Sequence, residues 1–248
     1  MKGVAPHVGF YALLATHRPA VICDVGSLDG QQALRFKRIC PKADVIAFEA
    51  NPSSCERIRQ NVQGSGVVVE HLAASNKQGR VDFHAVQERP EVSSLLDRTD
   101  DLATTTAPVD AVRLDQYLET RAGPVALWID VEGAADEALE GASGLRDRIV
   151  AVHIELETRT HLWTGQPSAT AALERLRSWG LELAGRSAVV DGVQYDYLLV
   201  RPDGLGTRVA LLAASADTLS RRLLPNRPWP LRVAVATGLL AALVWLMR

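Results

Sequence analysis

Short apolar runs rich in β-branched residues alternate with segments of helical spacing through the first 200 residues of the chain. Five of the apolar runs have the length of buried strands: 20–25, 45–48, 67–71, 125–130 and 149–156. Helical spacing is found in three of the intervening segments: 31–39, 54–62 and 134–142. Continuous apolar strands separated by helices predict a parallel sheet that helices cover on both faces.

The pattern changes in the middle of the chain. Residues 81–87 alternate like a half-exposed strand, whereas residues 91–108 are polar and predict a loop. The last part of this region predicts one helix and two strands with a turn between the strands: 169–179, 181–184, 195–201 and Asp191-Gly192. Asn51-Pro52 predicts the start of a helix, with Asn51 or Ser53 as the N-cap.

Composition adds an asymmetry of charge to this picture. The 248 residues are 47% apolar and carry a net charge of −2, which gives no reason to expect a nucleic-acid partner. Residues 201–248 carry seven arginines against two aspartates, so the rest of the chain is acidic. The three cysteines show neither a disulfide pattern nor zinc-site spacing, and Cys23 is predicted to be a small buried apolar residue. A reducing, cytoplasmic environment fits this usage.

The stretch VICDVGSLDG, residues 21–30, is the most informative in the chain. An apolar strand ends near Asp24, and Gly26 and Gly30 precede a helix. Glycine is needed where the chain turns sharply against a bound nucleoside, because a Cβ would occupy the volume of the ligand. The next strand ends in Glu49, about twenty residues on, where a carboxylate can accept hydrogen bonds from ribose hydroxyls.

Two cofactors compete for such a loop. A dinucleotide fingerprint requires GxGxxG, so that backbone amides can approach a pyrophosphate. Here the glycines are spaced as GxxxG, and Asp24 and Asp29 flank the loop. Carboxylates repel a pyrophosphate but attract the ammonium and sulfonium groups of S-adenosylmethionine. The charge pattern therefore favours S-adenosylmethionine over NAD.

The motifs of the chain resemble those of the FkbM family of methyltransferases. DVGSLDG and AFEANPSSCERIRQN open the resemblance, and LAAS, SSL, VRLDQYL, IDVEGAADEALEGA and HIELE follow in the order of the family, over roughly residues 20–157. Ala50 stands where the family usually has Pro, and Ser27 where it often has Asn. The resemblance implies a Rossmann-like class I methyltransferase fold with a mostly parallel seven-stranded sheet. It also implies methyl transfer from S-adenosylmethionine to a hydroxyl of a saccharide or secondary metabolite. The apolar end of the chain adds a lipid-linked glycan to the possible acceptors.

The residues expected to bind the cofactor come from the glycine loop, the second strand and the later motifs. They are Asp24, Gly26, Ser27, Gly30, Glu49, Ala50, Ala73 and Ser94. The resemblance places the LAAS segment beside the adenine ring, where small side chains leave room for the ring. It also suggests that Ser94 approaches the cofactor.

Three ionisable residues are the candidates for catalysis. Asp130 ends a predicted strand in LWIDVEG, and we expect it to orient or deprotonate the acceptor, although a helix-capping role is the alternative. His153 and Glu155 alternate with Glu157 along the next strand and therefore share one face. Glu155 is expected to reach the acceptor and His153 to lie deeper. A metal site formed by Asp130, His153 and Glu155 is conceivable, but no metal is predicted.

His161 and Trp163 follow this strand. They either line the acceptor site or belong to an exposed loop.

The end of the chain predicts a separate segment. We divide the chain into a methyltransferase domain over 1–203, a basic linker or amphipathic helix over 204–227 and an apolar tail over 228–248. Residues 233–247 are uncharged, and Trp229 and Trp245 lie near the ends of the tail. A helix here could just cross a bilayer, with the preceding arginines holding the enzyme on the cytoplasmic face. An oligomerisation helix and a helix packed on the domain are the alternatives.

Two rival functions follow from the same residues. An NAD-dependent oxidoreductase would need a pyrophosphate site, which the GxxxG loop does not offer. A non-catalytic S-adenosylmethionine-binding or membrane scaffold protein would bind the cofactor and transfer nothing. The oligomeric state is open.

Overall fold

The computed structural model describes residues 5–158 and 162–202, together with positions 207, 211, 212 and 215. Its helices are α1 Pro6–His17, α2 Gln31–Ile39, α3 Pro52–Asn61, α4 Leu114–Tyr117, α5 Ala135–Gly141 and α6 Ala169–Ser178. Its strands are β1 Val21–Val25, β2 Asp44–Phe48, β3 Val68–Glu70, β4 Ala73–Ala74, β5 Gly79–Ala85, β6 Thr105–Val112, β7 Val125–Ile129, β8 Ile149–Glu157, β9 Glu182–Val190 and β10 Gln194–Val200.

Seven strands form one sheet in the order β3-β2-β1-β7-β8-β10-β9. The first five are parallel, and β10 runs antiparallel between β8 and β9. The chain winds outward in both directions from the boundary between β1 and β7. The mostly parallel seven-stranded sheet that the sequence predicts is confirmed, and so is the closing hairpin with its turn at Gly192, where φ is +75°.

Apolar side chains on the two faces of the sheet form two cores. On one face, Leu127 and Ile154 pack with α5 and α6. On the other, Ile22 and Trp128 pack with α1 and α2. Every residue of β1 is buried, because helices cover both of its faces.

The helix starts follow local sequence signals. Asn51 is the N-cap of α3: its Oδ1 accepts a hydrogen bond from the Ser53 amide at 3.0 Å, and Pro52 occupies the first turn. Gly30 precedes α2 with φ +77°. These residues determine where each helix begins after the strand that precedes it.

Two elements differ from the expectations. The chain forms α1 before the first strand, and this helix packs Phe10 against Trp128 and Phe36. The predicted loop over 91–108 ends in a strand, because β6 begins at Thr105. There it pairs with β5 and β4 in a second, three-stranded sheet. The first four residues of β6 are all exposed, so the sequence shows no apolar run there that would predict a strand.

The chain continues to contact the domain beyond residue 203. The Thr207 hydroxyl lies 2.9 Å from Nε2 of His17, and Leu211 packs against the core on the α1 side of the sheet. Among the helices that the structure describes, none combines the length and apolar composition needed to cross a bilayer. The apolar tail predicted over 228–248 lies outside the described residues.

Candidate active site

A pocket opens at the carboxyl ends of β1, β2 and β7, where the strand order reverses. Its wall is formed by Val25, Gly26, Leu28, Phe48, Glu49, Ala50, Leu72, Ala73, Ala74, Phe83, Pro90, Glu91, Ser93, Ser94, Leu95, Asp130, Val131 and Glu132. Five of the eight predicted cofactor-binding residues are in this wall: Gly26, Glu49, Ala50, Ala73 and Ser94. The other three lie beside it.

Gly26 brings the backbone of β1 against the end of β7. Its φ is +80°, and a Cβ at this position would stand 1.8 Å from the Asp130 carbonyl oxygen. The amides of Gly26 and Ser27 both donate to the Phe48 carbonyl, at 3.0 and 3.2 Å, which ties the loop to β2. The loop therefore requires glycine for a close approach of two backbones, and the same turn lines the pocket.

Neither Asp24 nor Ser27 is in the pocket wall. The side chain of Asp24 lies beneath the glycine loop, to which Ser27 belongs. The Ser27 hydroxyl and the Ala33 amide donate to Oδ2 of Asp24 at 2.6 and 3.1 Å. Asp24 shares a strand face with Ile22, which α2 covers, so its carboxyl group points into that layer. Burial raises the pKa of Asp24 to about 7. Its position makes it an anchor between the loop and α2.

Gly30 also lies outside the pocket wall. Its role is in the packing of α2 against α3. A Cβ at Gly30 would stand 2.8 Å from Cγ1 of Val62 and 3.0 Å from Cγ2 of Ile58. Gly30 thus allows α2 to start close to α3. Asp29, the second loop carboxylate, accepts from the Gln31 amide at 3.0 Å and likewise does not line the pocket.

Glu49 directly follows β2, and backbone amides hold its carboxylate. Oε2 accepts from the Leu28 amide and Oε1 from the Asn51 amide, each at 2.8 Å. The side chain is buried, and desolvation raises its pKa, while these amides oppose the rise. Each carboxylate oxygen keeps a further lone pair for a ligand. The arrangement suits the two hydroxyls of a ribose, as the sequence predicts.

The second sheet covers the pocket. Ala73 of β4 and Phe83 of β5 belong to one small apolar cluster, and both line the pocket. The segment between β5 and β6 also covers the pocket. It is attached to β5 by two backbone hydrogen bonds between Ser94 and His84, of 2.8 and 3.2 Å. The buried Ser94 hydroxyl donates to the Glu132 carbonyl at 2.6 Å. Ser94 therefore fixes the covering segment to the loop after β7.

Asp130 stands directly after β7, and its amide donates to the Val25 carbonyl at 2.9 Å. The residue lines the pocket. Desolvation raises the pKa of its carboxyl group to about 7, and the charges of Asp196 and Glu157 contribute. A carboxyl group of this kind is partly ionised at neutral pH and can accept a proton.

Asp130, Glu132 and Glu155 form an acid cluster, in which one carboxylate oxygen from each residue lies within 4.8 Å of the others. Glu132 adopts the left-handed conformation, with φ +49°. Burial, followed by the charge of Asp130, raises the pKa of Glu132 to about 8 and that of Glu155 to about 10. Asp130 and Glu132 line the pocket at the end formed by the loop after β7, whereas Glu155 is not in the pocket wall.

The metal site considered from the sequence is not assembled as expected. Glu132 takes the place of His153 beside Asp130 and Glu155.

His153 is placed in the core, outside the pocket wall. Its ring stacks on Trp128 at a centroid distance of 3.5 Å and an interplanar angle of 2°, and it is 2% exposed. Neither ring nitrogen has a hydrogen-bond partner among the residues that the structure describes, although Nε2 lies 3.7 Å from Oδ1 of Asp196. Burial lowers the pKa of His153 to about 3, so the ring is neutral. At His153 this face of β8 packs against Phe10 of α1. Two residues further along the same face, Glu155 belongs to the acid cluster.

Trp163 packs on the turn after β7. A Cβ at Gly133 would stand 2.9 Å from the indole ring, and the guanidinium of Arg98 lies 5.3 Å from the ring centroid. Trp163 is buried, which excludes the exposed loop considered from the sequence. His161 lies outside the described residues.

Sequence reasoning missed several residues of this site. Leu28 contributes its amide to Glu49, but a backbone donor leaves no signal in residue type. Phe83 lies on a strand whose pairing the sequence pattern does not predict. Gln194 of β10 donates to Glu155 at 2.5 Å, and only the sheet pairing brings these residues together.

The sequence matches the family model described as the methyltransferase FkbM domain over residues 24–183, more than half of the chain. It is 28% identical over 178 residues to the 2-O-methyltransferase NoeI of Sinorhizobium fredii, covering 65% of this chain and 72% of NoeI.

Among solved structures, the chain is similar to Aeropyrum pernix fibrillarin with bound S-adenosyl-L-methionine. The TM-score is 0.45 and the identity 13%, over 78% of this chain and 76% of fibrillarin. It is also similar to an O-methyltransferase from Bacillus cereus, with a TM-score of 0.44 and 14% identity. That comparison covers 79% of this chain and 82% of the other.

A Rossmann-like nucleoside site has three features that this structure shows. They are the reversal of strand order, a carboxylate after the second strand, here Glu49, and a tight glycine turn, here at Gly26. Together with the family match, they define a methyltransferase. The chain belongs to the FkbM family of S-adenosylmethionine-dependent methyltransferases.

Proposed function

We propose that the enzyme transfers the methyl group of S-adenosylmethionine to a hydroxyl oxygen of a saccharide, a lipid-linked glycan or a related metabolite. The observation that carries the proposal is the position of Asp130. Its carboxyl group lines the cofactor pocket at the end of β7, beside Glu132 and Glu155.

The reaction needs alignment of two atoms and removal of one proton. The acceptor oxygen attacks the methyl carbon, the carbon–sulfur bond breaks, and S-adenosylhomocysteine leaves. Glu49 would hold the ribose, and the wall formed by Ala50, Ala73 and Phe83 would enclose the adenine. The hydroxyl proton passes to the carboxylate of Asp130, whose raised pKa suits a base that works near neutral pH.

The class of acceptor is supported by the relative NoeI, which is a 2-O-methyltransferase. A hydroxyl is a weak nucleophile at neutral pH and needs a general base, and the acid cluster supplies carboxyl groups of raised pKa for that purpose. An NAD-dependent oxidoreductase is not favoured by the family match.

The test is methyl transfer from radiolabelled S-adenosylmethionine to a panel of free oligosaccharides and lipid-linked glycans, each with a free 2-hydroxyl. We expect label in at least one saccharide. We also expect Asp130→Asn to lower the rate by about a hundredfold or more, while calorimetry still shows binding of S-adenosylhomocysteine.

The outcomes separate the proposals. Full activity of Asp130→Asn would remove the base from Asp130. Saturable cofactor binding with no label in any acceptor, under conditions where a known O-methyltransferase is active, would favour the non-catalytic binding protein.

We also propose that the apolar tail over 228–248 attaches the enzyme to the cytoplasmic face of a membrane. The support is the uncharged stretch over 233–247, with Trp229 and Trp245 near its ends and basic residues before it.

The test of this second proposal is flotation with vesicles containing anionic lipid. We expect the full chain to float and a chain ending at residue 227 to remain at the bottom of the gradient. Equal behaviour of the two chains would reject the proposal.

A further inference from the structure

Gln194 connects two of the carboxyl groups of the acid cluster. Its Nε2 donates to Oε1 of Glu155 at 2.5 Å and lies 3.4 Å from Oε2 of Glu132. Gln194 is the first residue of β10 and pairs in register with Glu157 of β8. One carboxamide therefore links the end of β8 to the loop after β7.

Glu132 is held from both sides. Its carbonyl accepts from the Ser94 hydroxyl at 2.6 Å, and its side chain is near Gln194. The residue adopts φ +49°, a conformation that a non-glycine residue keeps only where its surroundings impose it. Ser94 thus holds the backbone of Glu132, and Gln194 contacts the carboxylate itself where it lies at the pocket.

The charges around the pair are almost all negative. Those affecting Glu155 are Asp130, Glu132, Asp196 and Glu157, and those affecting Glu132 are Asp130, Glu157, Glu91 and the cationic Arg98. His153, near Asp196, is neutral. Ionised carboxylates this close repel each other, and a donor between them offsets part of that repulsion.

We propose that Gln194 is a positioning residue for methyl transfer: its carboxamide holds Glu132 and Glu155 beside Asp130 and stabilises negative charge on Glu132, the member of the pair that lines the pocket. The proposal rests on the proposed function, because it places the sulfonium end of the cofactor next to this cluster.

The consequence is a preference for the charged cofactor. S-adenosylmethionine carries a sulfonium, whereas S-adenosylhomocysteine carries a neutral thioether in its place. Ionised carboxylates near the sulfur stabilise only the first of these. The ratio of the two dissociation constants therefore measures the ionisation of the cluster, and a general loss of folding or of adenosine binding cancels in the ratio.

The experiment is calorimetric titration of the full chain with both compounds at several pH values between about 6 and 8.5, a range that spans the pKa of Asp130 and Glu132. For the wild type, we expect the preference for S-adenosylmethionine to increase as the pH rises. For Gln194→Leu and Gln194→Met, which lack the donor, we expect the preference to fall about three- to tenfold at pH 7.5 and to recover at the highest pH.

The matched control is Gln116→Leu, the same substitution at an exposed glutamine of α4. It should show the wild-type ratio at every pH. If both Gln194 variants match the wild type, the positioning role is overturned while the proposed function stands. If the wild type itself shows no pH-dependent preference, the placement of the sulfonium beside the cluster fails, and the proposal fails with it.

Discussion

The backbones of Gly26 and Asp130 are in direct contact across β1 and β7. A Cβ on Gly26 would stand 1.8 Å from the Asp130 carbonyl oxygen and 2.8 Å from its carbonyl carbon. The turn that forms the floor of the cofactor pocket and the strand end that carries the candidate base therefore share one contact. Any side chain at residue 26 would displace both.

Gly26→Ala should consequently lower the free energy of unfolding by about 3 kcal/mol or more, since it combines a backbone clash with φ +80°. Gly64→Ala is the matched control, because Gly64 has φ +74° but a Cβ there would have no heavy atom within 4 Å. It should cost only about 1 kcal/mol. Urea denaturation measures both, and equal losses would contradict the importance of the contact.

Glu49→Ala should weaken the binding of S-adenosylhomocysteine at least about tenfold, because it removes the carboxylate that faces the ribose and leaves the Leu28 and Asn51 amides without their acceptor. Glu56→Ala, at an exposed position of α3, is the control and should bind normally. Calorimetry makes the comparison, and NAD should bind to neither. Unchanged affinity of Glu49→Ala would move the ribose elsewhere.

Methyl transfer should depend on the ionisation of Asp130. The pKa of this group is raised to about 7 by burial and by the charge of Asp196, and only the ionised form accepts a proton. Below that pKa, kcat/KM should fall about tenfold per pH unit, and above it the rate should level off. A pH profile measured with a saccharide acceptor tests this. A rate that rises toward acidic pH would exclude a carboxylate base.

The free energy of unfolding should decrease as the pH rises from 7 to 9. Glu132 and Glu155 have folded-state pKa values raised to about 8 and about 10 from a usual value of 4.5, mainly by burial. In this range they hold protons in the folded chain and not in the unfolded chain, so higher pH favours unfolding. We expect a decrease of about 4 kcal/mol, to which Glu155 contributes the larger part.

Glu155→Gln should flatten this decrease, whereas Glu182→Gln, on the exposed side of β9, should not. The neutral His153 has the opposite dependence, but only below its usual pKa of 6.5, outside this range. Urea denaturation at three pH values provides the measurement. A slope that is the same in Glu155→Gln would assign the effect to other groups.

His153→Phe should preserve methyl transfer, contrary to the catalytic role hypothesised from the sequence. The ring stacks on Trp128, and both nitrogens are buried without hydrogen-bond partners in the described part of the chain. An apolar ring should therefore leave stability unchanged or raise it by about 1 kcal/mol. Trp128→Ala, which removes the stacking partner, should cost about 3 kcal/mol. Turnover and thermal unfolding together decide. A loss of turnover in a stable His153→Phe protein would restore the catalytic role.

The sequence by itself determined the sheet and much of the cofactor site. Apolar runs such as those that became β1 and β7 have one stable location, between two layers of helices, so their burial follows from composition. Gly26 and Glu49 were predicted for the pocket because a close backbone approach and a ribose ligand each require a particular residue type at a strand end. Asn51 was predicted as a cap because the interaction is local.

Only the tertiary structure decided which face each ionisable side chain occupies and what lies opposite it. Asp24 and Asp130 both end apolar runs, yet α2 covers the first, and the second faces the pocket. Gln194 reaches Glu155 because β10 inserts between β8 and β9, a pairing between residues 39 positions apart. Such contacts depend on the free energy of the whole packed sheet. The residue type at a single position contributes little to that free energy, so it does not predict the contact.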